Sequence, residues 1–309
     1  MAIAPKPSYV VIPADTAVTL TVVDFLIARF GAIPEAVWRQ RVSDGKVHWR
    51  DGSRVTAACC CRPQQRVCYY REVETEPDIP FQEQILFEDE HILVADKPHF
   101  LPVTPGGNYV RQCLLYRLKE RTGIDALQPI HRIDRDTAGV VVFSKVEAER
   151  GQYQRMFIDG DVMKRYFAIA EVPSDVTEGR QWRVENRMVK AQQNFRMRVT
   201  EGEVNARSTV ACVATEAGLG LFDLSPLSGK THQLRVHMSC LNLALLHDRY
   251  YPDLLPKAEL DFEHPMQLLS RHISFTDPVT GESRHFDTTR VLAAGFAQRQ
   301  REIIASETA

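Results

Sequence analysis

The sequence predicts an α+β protein built on a large mixed or antiparallel sheet, with a small module ahead of it. Three observations carry this expectation. Residues 85–107, 164–172, 205–227 and 270–288 read as strands or hairpins, rich in β-branched and aromatic side chains and broken by turn residues. Helical patterns do not alternate regularly with these strands, which disfavours a doubly wound fold. An acidic, proline-containing run at residues 72–80 is too polar to bury much surface and divides the chain as a linker.

Before the linker the chain reads as two short helices and a hairpin. Phe25, Leu26 and Phe30 share one helical face, Pro34 suits the first turn of a second helix, and Asp51-Gly52 makes a turn. The expected division is a tail at 1–12, a module at 13–71, a linker at 72–84, a main domain at 85–300 and a tail at 301–309. Within the main domain, residues 140–143 (VVVF) suit a central strand buried on both faces, and residues 231–246 read as a helix.

With 309 residues, 44% hydrophobic and 25% charged, the chain has the composition of an ordinary globular protein. No stretch approaches the roughly 20 apolar residues of a membrane span, so a cytoplasmic protein without membrane contact is expected. Of the seven cysteines, Cys59, Cys60 and Cys61 adjoin and Cys68 follows. This is not a paired zinc spacing and no histidine completes it, so buried thiols in a reducing compartment are expected. The net charge of −2 does not announce a nucleic-acid binder. Residues 187–198, however, hold Arg187, Lys190, Arg196 and Arg198 with one aromatic and no acid, so one face can be positive on a nearly neutral molecule. A solvated pair of cationic strands fits that pattern equally.

Three separated segments share a chemical theme: HRIDRDTAG with Asp134, KRYFA with Tyr166 and SGKTHQLRVH with Arg235. Asp134 stands in a loop at the mouth of the 140–143 strand, where a rigid element fixes a side chain facing a cleft. If a helix opens near Thr231, His232 and Arg235 lie one turn apart and His237 points elsewhere. An arginine beside Asp134 suits either a nucleophile or a structural ion pair. A metal-dependent hydrolase using His131, Asp134, His232 and His237 is a weaker reading, because residues 232 and 237 fall on different faces of a helix or a strand.

The segment HRIDRDTAGVVVFSK resembles the signature of the RluA-type pseudouridine synthases. Residues 85–287 follow that family's motifs in order, through the first hairpin, KRYFAIAEV, LSPLSGKTHQLRVHM and the closing hairpin. The resemblance implies the pseudouridine synthase fold with a central catalytic cleft. It also implies isomerisation of a uridine in a structured ribosomal or transfer RNA stem-loop, with no cofactor, no metal and no obligate protein partner, by a monomer. It makes Asp134 the catalytic carboxylate, Tyr166 the ring against the base and Arg235 the partner of Asp134. Arg132 enters the RNA stack, with His131, Arg135, Thr137, Lys164, Lys230 and His232 as further RNA contacts. The first module resembles the alpha-L RNA-binding domain, which adds Arg39 and Arg41, and Lys46, Arg50 and Arg54 as further phosphate contacts. Ala138, Lys230, His247 and Pro252 depart from the residues usual in the family. A catalytically inactive RNA-binding protein of the same fold is the alternative.

Overall fold

The computed structural model describes residues 2–308 except 193, 194, 257 and 294. The chain forms two units, Met1–Asp78 with Pro105–Gln112, and Ile79–Thr104 with Cys113–Ala309.

The smaller unit contains β1 (Ala2–Ile3), β2 (Ser8–Val11), α1 (Val22–Arg29), α2 (Glu35–Ser43), β3 (Val47–Trp49), β4 (Arg66–Tyr69) and β5 (Glu72–Val73). Thr21 caps α1 by accepting the Asp24 amide at 3.1 Å, the side-chain bond that satisfies an orphan donor of a first turn. Leu26, Trp38, Val47 and Val67 are fully buried in one core. Two helices are present as expected, with Pro34 at the N-cap of α2 rather than inside its first turn. The hairpin after them is a single bridge between His48 and Arg54. β3 pairs mainly with β4, which lies between β2 and β3. The expected tail at 1–12 therefore carries two strands of this unit. Nor is the linker a free run: β5 pairs with β1, and Glu76 Oε1 accepts the amides of Val110, Arg111 and Gln112 at 2.6–2.8 Å. Those three donors tie residues 105–112 to this unit.

The larger unit contains β6 (Gln84–Glu88), β7 (Ile92–Lys97), α3 (Leu114–Thr122), β8 (Gln128–Pro129), β9 (Ala138–Ser144), α4 (Arg150–Asp159), β10 (Val162–Glu171), β11 (Gln181–Lys190), β12 (Met197–Thr200), β13 (Ala206–Glu216), β14 (Leu219–Pro226), α5 (Gln233–Cys240), β15 (Leu268–Thr276), β16 (Ser283–Asp287) and α6 (Ala297–Thr308). α6 occupies most of the expected C-terminal tail. Eleven strands make one sheet in the order β12-β11-β13-β14-β10-β15-β9-β7-β6, with β16 on β15 and β8 on β9. β9 is buried along its whole length, as its VVVF run requires. It pairs antiparallel with β7 and parallel with β15, which makes the sheet mixed.

One residue lets those central strands meet. Gly139 has φ +111°, and a Cβ there would stand 2.0 Å from the Ser270 carbonyl oxygen. No side chain fits in that gap, so the strand carrying Asp134 at its mouth touches β15 backbone to backbone. On the face shared by α5, Ala168, Phe222, Leu224 and Met238 form a core. On the opposite face Phe167, Ile169, Leu221 and Leu269 pack with Leu292 and Phe296.

Candidate active site

Residues 131–137 form the turn that feeds β9, and both of its flanks are pinned. The Thr137 amide donates to the Asp134 carbonyl at 3.2 Å. The end of β7 braces the same turn. Lys97 is fully buried and its Nζ donates to the carbonyls of Pro98, Leu101 and Arg135 at 2.7–2.9 Å. Burial pulls this ammonium down to about 7, against the opposing charges of Asp136 and Asp134. Three acceptors match the three N–H groups of the charged form, whereas a neutral amine has only two. His99 Nδ1 donates to the Asp136 carbonyl at 2.7 Å, and burial lowers this imidazole to about 4. His131 accepts the Val142 amide on Nε2 at 3.1 Å and stacks on Phe157 with ring centres 4.7 Å apart. Burial, with a smaller repulsion from Lys164, drops it to about 3.

Asp134 meets α5 at the mouth of this turn. Arg235 is 2% exposed. Its Nε and Nη2 donate to the two oxygens of Asp248 at 2.8 and 2.6 Å, while Nη1 donates to Asp134 Oδ2 at 3.2 Å. Burial works against this guanidinium, but the hydrogen bonds and charge of Asp248, then Asp134, hold its pKa above the ordinary range. Asp248 in turn accepts the amides of Tyr250 and Tyr251, and the guanidinium lies 4.8 Å from the Tyr250 ring centre. Two carboxylates and a ring therefore fix one fork, the geometry a lysine cannot reproduce. His232 caps α5 with φ 55°. The Met197 amide donates to Tyr251 Oη at 2.7 Å, and that hydroxyl lies 2.9 Å from His232 Nδ1. The other ring nitrogen, Nε2, lies 3.9 Å from Asp134 Oδ2. Burial lowers this imidazole from its ordinary value, opposed by Asp134.

Asp134, His131, His232 and Arg235 line a cavity of about 540 Å³, large enough for a nucleotide. Tyr166 forms its floor on β10, opposite Leu224 and Ser270. Burial pushes its phenol up to about 12, so the ring stays neutral and keeps its proton. Arg132, Lys164 and Lys230 supply cations to the walls, and Thr137, His131 and Arg135 complete the Asp134 side. Arg135 spends its fork on neighbouring Asp136, at 2.8 and 3.1 Å. Burial raises Asp136, but the charge and hydrogen bonds of Arg135 outweigh it and hold the carboxyl below its usual range.

Arg39 and Arg41 lie in the smaller unit. Arg41 is 5% exposed, paired with Glu72 and set over Trp38 at 5.0 Å. It is a core strut and cannot reach a phosphate, which corrects the expected RNA contact. Arg39 is exposed and paired with Glu35 and Asp24. The four residues of the weaker, metal-dependent reading do not converge: His131 is committed to Val142 and His237 Nε2 faces Asn186 Oδ1 at 3.2 Å. Burial lowers His237 to about 4. Asp248, Lys97 and His99 were not among the expected site residues. A lysine and an aspartate closing the apolar run ILVAD were the visible signal for Lys97.

Residues 91–240 match the family described as RNA pseudouridylate synthase. Ribosomal large subunit pseudouridine synthase D of Zymomonas mobilis is 30% identical over 235 residues, covering 70% of this chain and 72% of that protein. The chain belongs to the RluA-type family of RNA pseudouridine synthases. Dual-specificity RNA pseudouridine synthase RluA of Haemophilus influenzae is 29% identical over 226 residues, covering 70% of this chain and 96% of that one. The fold is that of Human RNA Pseudouridylate Synthase Domain Containing 1, with TM-score 0.56 at 18% identity over 75% of this chain and 98% of the other. The family match includes the segments carrying Asp134, Tyr166 and Arg235 and stops short of Asp248. His247 has φ 63°, so this chain holds a non-glycine side chain in left-handed backbone beside Asp248.

Proposed function

We propose that this RNA pseudouridine synthase isomerises a uridine in a structured ribosomal or transfer RNA, with Asp134 as the catalytic carboxylate. One observation carries the assignment: Asp134 is the acid that Arg235, already locked by Asp248, presents into the cavity above Tyr166. A uracil inside a helix is closed to attack, so the nucleotide is flipped into the cavity and its base set against the Tyr166 ring. Arg132, exposed at the rim, is planar and cationic and takes the place left in the stack. The ribose-to-N1 bond breaks, the uracil turns and rejoins the ribose through C5, so no atom is gained or lost. Lys164, Lys230 and His232 hold the nucleotide. The seven free cysteines fit a cytoplasmic site of action, and the protein acts as a monomer. The smaller unit is proposed as an accessory RNA contact.

Asp134→Asn tests the assignment. The amide is nearly isosteric but is neither nucleophile nor base. The variant is expected to fold, to bind RNA as the wild type does, and to form no pseudouridine in RNA from cells lacking the enzyme. Activity within about tenfold of wild type removes Asp134 from its role.

A further inference from the structure

The hairpin of β11 and β12 continues the wall of the cavity outward. Phe195, next to the β12 end of this hairpin, is 52% exposed, and its ring centre lies 5.4 Å from that of Tyr250. Tyr250 lies 5.8 Å from His232, which lines the cavity. Three rings thus lead from the site to the surface. The hairpin is tied in place beneath them. Arg196 Nη2 donates to the Pro252 carbonyl at 2.8 Å, the Met197 amide donates to Tyr251 Oη, and Met188 and Met197 pack with Tyr250 and Tyr251. Lys190 pairs with Met197 across the hairpin and, by strand alternation, shares its face with Met188. It is exposed and has no ion pair among the described residues. The sequence from 186 to 200 contains no acidic residue.

A large exposed ring and a free cation on a braced hairpin, contiguous with a cleft that receives a nucleotide, match one ligand chemistry. We propose that Phe195 and Lys190 form a second RNA subsite, where an unpaired base beside the target uridine stacks on Phe195 and its phosphate meets Lys190. A nucleotide offers both features, a flat π-face and an anion, whatever its base. The inference rests on the RNA-modifying reading of the cavity but uses none of its reacting groups. It explains why the cationic segment carries a single aromatic residue at the turn rather than within a strand.

The test uses the full chain and a fluorescein-labelled oligouridylate of about twelve nucleotides, followed by fluorescence anisotropy. Phe195→Ala is expected to weaken binding about tenfold, and Phe195→Tyr to stay within about twofold of wild type, since stacking needs only a ring. Lys190→Ala is expected to reduce the salt slope by about 0.7 unit, the single-strand value for one phosphate contact. In pseudouridine formation on RNA from cells lacking the enzyme, Phe195→Ala is expected to raise KM and leave kcat unchanged. Wild-type affinity in Phe195→Ala, or a Phe195→Tyr variant as weak as Phe195→Ala, overturns the subsite. So does a loss confined to kcat. The Asp134→Asn assay reads the catalytic assignment separately, because that variant keeps both subsite residues.

Discussion

Arg235 is shared by two carboxylates that play unequal parts. Asp248 is 1% exposed by its side chain and takes two of the three donors, whereas Asp134 is 25% exposed and takes one. The buried partner fixes the fork and leaves the more exposed one accessible to a ligand. Arg235→Ala removes the cation bonded to the buried Asp248 carboxylate, and breaking such a pair costs roughly 3–5 kcal/mol. A fall in Tm of about 10 °C and loss of turnover are expected together. A melt unchanged from wild type would show that the bridge is absent in solution. At this scale the sequence was informative where chemistry repeats a motif: Asp134, Tyr166 and Arg235 stand in recognisable segments. Asp248 was not legible as the clamp, because its role depends on a loop that brings it back to α5 from 13 positions away.

The turn between β8 and β9 is held by groups on a neighbouring strand's end, and those groups make it sensitive to acid. His131 and His99 are depressed to about 3 and about 4, and His237 on α5 to about 4. All three are neutral in the folded protein where the unfolded chain, with imidazoles near 6.5, is already protonated. The unfolded state then binds more protons, so stability is complete above about pH 6.5 and falls as pH drops toward 4, by up to about 1.4 kcal/mol per pH unit per histidine. Urea unfolding from neutral pH to pH 5 is expected to show this decline. His131→Asn, which keeps an acceptor for the Val142 amide, is expected to make it shallower by about one proton's share. Carboxylates contribute alike in both proteins, so an unchanged slope would mean that His131 is not held neutral. The VVVF strand and the hairpins β6/β7, β13/β14 and β15/β16 were readable because period and turn residues are local. The centrality of β4 was not: RVCY gains its place from pairing with β2, more than fifty residues earlier.

Across the whole chain, the boundary between units falls after Asp78, but residues 105–112 return to the smaller unit through the Glu76 carboxylate. The larger unit carries its own cores on both faces of its sheet. Removing residues 2–78 is therefore expected to leave a protein that melts cooperatively and still forms pseudouridine. Of five cations expected to touch phosphate, Arg41 and Lys46 are paired with Glu72 and Arg39 with Glu35. Arg50 and Arg54 have no ion pair among the described residues. The deletion should then lower the salt slope of RNA binding by under two units rather than by nearly five. A larger fall would mean that Arg39 and Lys46 exchange their carboxylates for phosphate. The close approach at Gly139 has a further consequence, for synthesis. β15 fits between β9 and β10, yet it leaves the ribosome about 120 residues after β9. For on the order of 10 s at typical elongation rates, the nascent chain carries two strands, both destined for the middle of a sheet, with no neighbour on one edge. Chains cut short before Leu268 would keep those edges open and are expected to aggregate or recruit chaperones rather than accumulate as partly active fragments.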